Sequence, residues 1–234
     1  MPLRLFLRAR GTIFVLPGLR LHRRKLQQEI SVRKLSVSLV VVLALGLAAQ
    51  AQEFHAAFGF GTVTAPSASS NANASFPSLS GGLYPSFSGN VIIWHHIGFG
   101  GDVAWRAHQT IYSGTQGNFG IVQPYRPIFY DFNGVYAPRL SKYAGVELQA
   151  GIGAESVHFY TGNVTCSAFS GCSNYQSSNH FMGHFGGGLR LYAKGNFFIR
   201  PEAHVYFVRN NFEFSGPRAT RYGMSIGYTW GESK

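Results

Sequence analysis

The chain has 234 residues, 29 of them Gly, with aromatic residues at 15% and charged residues at only 12%. Low charge with high Gly and aromatic content excludes a disordered chain and an ordinary helical domain. The formal charge of +11 is concentrated at the start, because residues 1–51 hold nine Lys or Arg against Glu29 alone and the remainder nets only +3. That distribution, with no base-reading motif, excludes a nucleic-acid partner for the folded part.

Arg33 and Lys34 precede an apolar run, Leu35 to Leu47, followed by Ala48-Ala49-Gln50-Ala51. A charged segment, a short apolar segment and an A-x-A site predict a secretory signal over 32–51, cleaved near Ala51. The run is short of the roughly 20 apolar residues a spanning helix needs. Residues 1–31 form a basic extension that export does not require. Translation from Val32 at an alternative start codon would account for it, and a precursor beginning at Met1 would refute that account.

The mature part, 52–234, divides into eight segments of period-two alternation. The first, about 53–64, sets Phe54, Ala56, Phe58 and Phe60 against His55, Gly59 and Gly61. A Ser-rich stretch to residue 82 reads as a long loop. The second, about 83–94, opposes Phe87, Val91 and Ile93 to Ser88 and Asn90. A short turn at His95-His96 leads to the third, about 97–108, where Ile97, Phe99, Val103 and Trp105 oppose Asp102 and Arg106. A Gly- and Ser-rich loop is expected over 109–123. The fourth strand, about 124–137, opposes Ile128, Tyr130 and Phe132 to Asp131 and Asn133. Pro138 to Lys142 form a short turn. The fifth, about 143–157, opposes Val146, Leu148 and Ile152 to Glu147 and Glu155. A third long loop, 158–178, holds both cysteines.

The sixth and seventh strands form a hairpin within Asn179–Arg209. Parity places Arg190, Arg200 and Glu202 on one face. A three-residue turn, Ala193-Lys194-Gly195, with Gly195 at positive φ, keeps that parity and sets His184 opposite His204. The eighth strand, about 218–230, opposes Tyr222, Met224, Ile226 and Trp230 to Arg221 and Ser225.

Connections alternate long and short, so all long loops share one end of an up-and-down meander. No charged residue falls on the apolar face within a strand. Both features suit a transmembrane barrel, where Arg or Lys facing lipid at mid-membrane costs about 2–4 kcal/mol. Tyr84, Trp94, Trp105, Tyr143, Tyr222 and Trp230 gather near strand ends, as an interfacial girdle would. The expected fold class is all-β, an eight-stranded antiparallel up-and-down transmembrane β-barrel behind a signal peptide.

The segments IGFGGDVAWRA, YDFNGVYAPRL, YAGVELQAGIGAE and the final SIGYTWG resemble the small bacterial outer-membrane barrels of the OmpA/OmpX-like type, over about 53–230. The resemblance implies residence in the bacterial outer membrane after Sec-type export. It implies contact with outer-membrane lipid, lipopolysaccharide and the outer-membrane assembly machinery. Members often end on an aromatic residue, whereas Trp230 here is followed by Gly-Glu-Ser-Lys. No periplasmic peptidoglycan-binding domain follows.

Export to an oxidising compartment favours a disulfide between Cys166 and Cys172. Inward ions are expected at Asp102, Arg106, Asp131, Glu147, Glu155, Arg190, Arg200, Glu202 and Arg221. Packed in a narrow lumen, they should pair. No cofactor or metal is expected: His180 and His184 stand about 13 Å apart on a strand, too far for one ion. No catalytic residue is assigned either. A lipid-A acyl hydrolase or transferase would need Ser, His and an acid, and Glu155 and Ser156 point to opposite faces. The leading expectation is a non-enzymatic barrel with a plugged polar lumen, acting in envelope structure or surface interaction. The alternative is a soluble, lipocalin-like barrel with its aromatic residues inside.

Overall fold

The computed structural model describes residues 53–71, 74–116, 119–167 and 171–231. The expected extension 1–31 and signal segment 32–51 lie outside these residues. Among them run β1 (Glu53–Thr64), β2 (Ser69–Asn71), β3 (Ala74–Phe76), β4 (Tyr84–Trp94), β5 (Ile97–Trp105) and β6 (Thr110–Gln116). β7 (Phe119–Tyr136), β8 (Ala144–Ser167), β9 (Gly171–Lys194), β10 (Phe197–Val208) and β11 (Arg218–Gly231) complete the sheet.

Eight of these strands close a ring. The order is β7-β5-β4-β1-β11-β10-β9-β8, and β8 returns to β7. Every pairing in it is antiparallel. β1 meets β11 with Phe54 opposite Trp230, so the two ends of the sheet satisfy each other's backbone donors and acceptors. The period-two alternation becomes an inside and an outside. Phe58, Phe132, Ile152, Phe185 and Ile226 are exposed on the outer surface. His55, Glu147, His184, Arg190 and Arg221 are buried within. An apolar outside around an ionic inside is the arrangement for hydrocarbon surroundings. It reverses the soluble, lipocalin-like reading, which needs the aromatic residues in the cavity.

The expected girdle is corrected at one position. Trp94, Tyr143 and Trp230 are exposed at or beside strand ends, Tyr222 is exposed further along β11 and Trp105 is half-buried at the end of β5, but Tyr84 is fully buried. It shares the inward parity of Ser86, Ser88 and Asn90, and its ring lies 6.1 Å from Phe129.

Two stretches expected as long loops, 109–123 and 158–178, are largely strands among the described residues, and the Ser-rich loop holds one short hairpin. Ser69–Asn71 pairs with Ala74–Phe76, and β3 pairs with β6. β6 pairs with the first half of β7 from Thr110↔Tyr125 to Gln116↔Phe119. β8 and β9 run 24 residues each and pair from Ala144↔Leu191 out to Ser167↔Gly171. About 9–11 residues suffice to cross a membrane as a tilted strand. At about 3.4 Å per residue these strands extend well past that span. Beyond Tyr160 and before Ser178 their described side chains are mostly exposed on both faces, so nothing selects alternating apolar residues. The backbone ladder holds them, and it leaves no sequence signature.

The turn between β9 and β10 also differs from expectation. Lys194 pairs with Phe197, leaving Gly195 and Asn196 as a two-residue turn, and a bulge lies between Phe197 and Phe198. The bulge supplies the residue that restores parity. Tyr192 and Phe198 therefore both point inward, with ring centroids 5.8 Å apart. Gly195 has φ 61°, the conformation for which glycine is suited. His184 pairs with Tyr206 in the ladder, and not with His204.

Candidate functional site: the lumen network and the outer rim

Lumen chemistry follows from which strands put ions at equal height. Glu147 on β8 and Arg200 on β10 lie on either side of β9, where Gly188 occupies the inward position between them. A Cβ at Gly188 would stand 2.7 Å from Arg200 Cγ, so only glycine lets that side chain cross. Arg200 Nη1 donates to Glu147 Oε1, which also accepts from Asn90 Nδ2 at 3.1 Å and Gln149 Nε2 at 2.6 Å. Arg200 Nε donates to Glu202 Oε2 at 2.8 Å and Nη2 to Ser88 Oγ at 2.9 Å. Arg221 Nη2 reaches Glu202 Oε1 at 3.2 Å and Asp102 Oδ1 at 3.5 Å. Below, Arg190 Nε lies 3.6 Å from Glu147 Oε2, and its Nη2 donates to Ala137 O at 3.0 Å. Arg190 Nη1 lies 3.1 Å from the His55 ring nitrogens, and His55 Nε2 lies 3.0 Å from Glu53 Oε2.

Histidines extend the network upward. His204 Nε2 lies 3.5 Å from Glu202 Oε1, and His204 Nδ1 lies 2.9 Å from His184 Nε2. His184 Nδ1 stands 2.8 Å from Asn133 Oδ1 and 3.4 Å from Asp131 Oδ1. Above them Tyr206 and Phe129 stack at 4.6 Å. These rings belong to a buried apolar layer with Tyr84, Tyr125, Val157 and Met182. The buried inward residues thus run from paired ions through histidines to aromatic rings.

Two of the nine expected ions stand apart from this network. Arg106 Nη1 donates to Tyr125 OH at 3.4 Å, and its guanidinium lies 6.0 Å from that ring. Glu155 is fully buried, and neither carboxylate oxygen has a hydrogen-bond partner. The sequence distinguishes neither from the other seven, because parity gives direction and not height.

A second cluster was not visible from the sequence. Ser178 and His180 on β9 meet Glu213, which lies between β10 and β11. Ser178 Oγ donates to Glu213 Oε1, while His180 Nε2 lies 3.0 Å from Ser178 Oγ and 2.9 Å from Glu213 Oε2. Serine and carboxylate address the same ring nitrogen, so the cluster lacks the two-nitrogen relay of a nucleophilic triad. Glu155, Ser156 and His158 do not converge either. Glu155 points inward, whereas the His158 ring stacks on Tyr175 at 4.3 Å. Cys166 and Cys172 are cross-strand partners near the β8–β9 tip and form a disulfide. Among the described residues no group of three His, Cys, Asp or Glu could hold a metal ion.

Comparison with solved structures bears on the ring as a whole. The crystal structure of Neisserial surface protein A (NspA) superposes with a TM-score of 0.50 at 8% identity, covering 75% of this chain and 95% of that one. The fold is that of a small outer-membrane β-barrel. Ail of Yersinia pestis, solved with the heparin analogue sucrose octasulfate, matches at TM-score 0.48 and 13% identity over 76% of this chain and 98% of that one. OprG of Pseudomonas aeruginosa matches at 0.44 and 10% identity over 78% and 98%. The sequence matches no family model and no curated protein.

Proposed function

We propose that this protein is a non-enzymatic integral protein of the bacterial outer membrane, with a closed polar lumen and an extended β-sheet for interaction at the cell surface. The observation that carries this reading is the contrast between the two ends of β8 and β9. Inside the apolar belt their inward side chains join a packed ionic network. Beyond it the same strands continue as a paired hairpin to Ser167↔Gly171. Packed, mutually neutralised ions leave no aqueous channel of the kind a wide porin has. A projecting sheet has no role in holding the barrel closed, and it offers exposed side chains such as Tyr175.

Lipid and lipopolysaccharide surround the apolar belt in this reading, and the outer-membrane assembly machinery inserts it. The test uses intact cells and purified protein. Protease added outside should cut within 158–178, and the protein should leave the membrane only with detergent. In planar bilayers it should show no large, stable, unselective conductance. Release by carbonate alone overturns the membrane reading; porin-like conductance overturns the closed lumen.

A further inference from the structure

Above the apolar belt, five chain segments converge on one concavity. Phe76 of β3, Tyr112 of β6, Ile121 of β7 and Phe159 of β8 line it, with Phe212 and Glu213 from the segment between β10 and β11. Its volume is about 210 Å³. Pockets for drug-sized molecules run from roughly 300 to 1,000 Å³, so the occupant is smaller, a headgroup or a single side chain.

The wall selects the charge. Tyr112 and Phe159 meet edge to face at 88° with centroids 5.4 Å apart and are not stacked. Aromatic faces carry negative electrostatic potential and attract organic cations. Glu213 adds the only formal charge among the described lining residues. It is close enough to Tyr112 that its charge, after burial, helps push that phenol up from its ordinary range. The Tyr112 hydroxyl donates to Glu213 O at 2.9 Å, which ties the ring to the carboxylate-bearing segment. An anion meets the Glu213 carboxylate here, with no Lys or Arg among the described lining residues to offset it. A hard cation such as calcium needs about six to eight oxygen ligands, which one carboxylate does not provide.

The wall also selects among organic cations. A primary ammonium brings three N–H donors that must be satisfied on burial. Glu213 already accepts from Ser178, and its second oxygen faces His180 at 2.9 Å. That second oxygen accepts no hydrogen bond and could take one N–H, but Phe76, Ile121, Phe159 and Phe212 offer no acceptor for the others. A fully methylated ammonium has no N–H to satisfy and presents methyl groups to aromatic rings. We propose that the cavity between Phe76, Tyr112, Phe159, Phe212 and Glu213 binds a trimethylammonium group, as carried by choline or by a choline headgroup lipid.

The access route from outside rests on the surface-exposed sheet of the preceding reading; binding by purified protein does not. The test uses folded protein in octyl glucoside, which carries no ammonium group, at pH 8. Choline chloride and its neutral isostere 3,3-dimethylbutan-1-ol are titrated by calorimetry. Choline should bind about tenfold more tightly, the scale of a desolvated cation–aromatic contact. Phe212→Ala and Phe159→Ala should each weaken choline several-fold, and Glu213→Gln should remove most of the preference over the isostere. Heat-modifiable migration checks that each variant is folded. A second arm places the protein in phosphatidylglycerol nanodiscs and floats them with phosphatidylcholine vesicles. Capture that free choline competes away assigns the lipid headgroup; choline binding without capture assigns a soluble source. Equal affinity for the isostere, unchanged binding in both folded Phe variants, or no binding in either arm overturns the proposal. Binding of choline with cells impermeable to protease at 158–178 would overturn the surface orientation and leave the site intact.

Discussion

Replacing Glu202 by Gln tests whether the lumen is held as a charge network. The carboxylate lies 2.8 Å from Arg200 Nη2, 3.2 Å from Arg221 Nη2 and 3.5 Å from His204 Nε2, with its side chain about 1% exposed. The acids and arginines that pair directly with one another are Asp102, Glu147 and Glu202 with Arg190, Arg200 and Arg221, while Asp131 and Glu53 join only through histidines. Glu202→Gln leaves three cations facing two anions. Arg200 keeps Glu147, so the deficit falls on Arg221, whose remaining acid is Asp102 at 3.5 Å. Stranding a buried charge costs about 3–5 kcal/mol. Adding Arg221→Met restores two against two, and Asp102 stays within electrostatic reach of Arg200. The double variant should therefore recover about 1–3 kcal/mol of the loss. The assay is reversible urea unfolding in phospholipid micelles, followed by tryptophan fluorescence. With a slope of about 2 kcal/mol per molar, a 3 kcal/mol loss moves the midpoint by roughly 1.5 M. If the double variant is no more stable than Glu202→Gln alone, the residues act as independent packing elements and the network argument is wrong.

Further outcomes follow from the same geometry. Gly188→Val places its Cβ 2.7 Å from both Arg200 Cγ and Pro201 O, so it should lose about 1–3 kcal/mol by overpacking, whereas Gly183→Ala, with open space, should change stability by less than about 0.5 kcal/mol in the same assay. Phe132 is exposed on β7 opposite Gly101 in the middle of β5, and Phe132→Arg should cost about 2–4 kcal/mol in lipid, while Tyr175→Arg in the projecting hairpin should cost less than about 0.5 kcal/mol. The Cys166–Cys172 disulfide closes a hairpin tip outside the ring, so Cys166→Ser with Cys172→Ser should leave the urea midpoint unchanged, and non-reducing peptide mapping should find the two cysteines joined in the wild type.

The division of each strand into a lipid face and a lumen face is written in the chain itself. A strand alternates direction with every residue, so Phe58 against His55, or Ile199 against Arg200, already states which side each takes once one face must be apolar. The same parity required some adjustment at the β9–β10 turn, although not which one; a bulge at Phe197-Phe198 and a longer turn satisfy it equally. The strands beyond the apolar belt are hidden in the sequence for a physical reason. The described residues of 161–177 are mostly exposed on both faces, so their pairing rests on backbone hydrogen bonds that every residue can make, and in 109–123 Tyr112 alone turns an apolar side chain into the core, too little for an alternation signal. Tyr84 has the composition of a girdle residue, but its parity turns it inward. Height along the barrel is decided only by register, which is a relation between strands. Register brings Glu147 to Arg200 across Gly188, leaves Glu155 unpartnered, and joins Ser178 and His180 to Glu213 from 33 residues further along. The aromatic cavity is likewise a product of five segments, none of which encloses any volume alone.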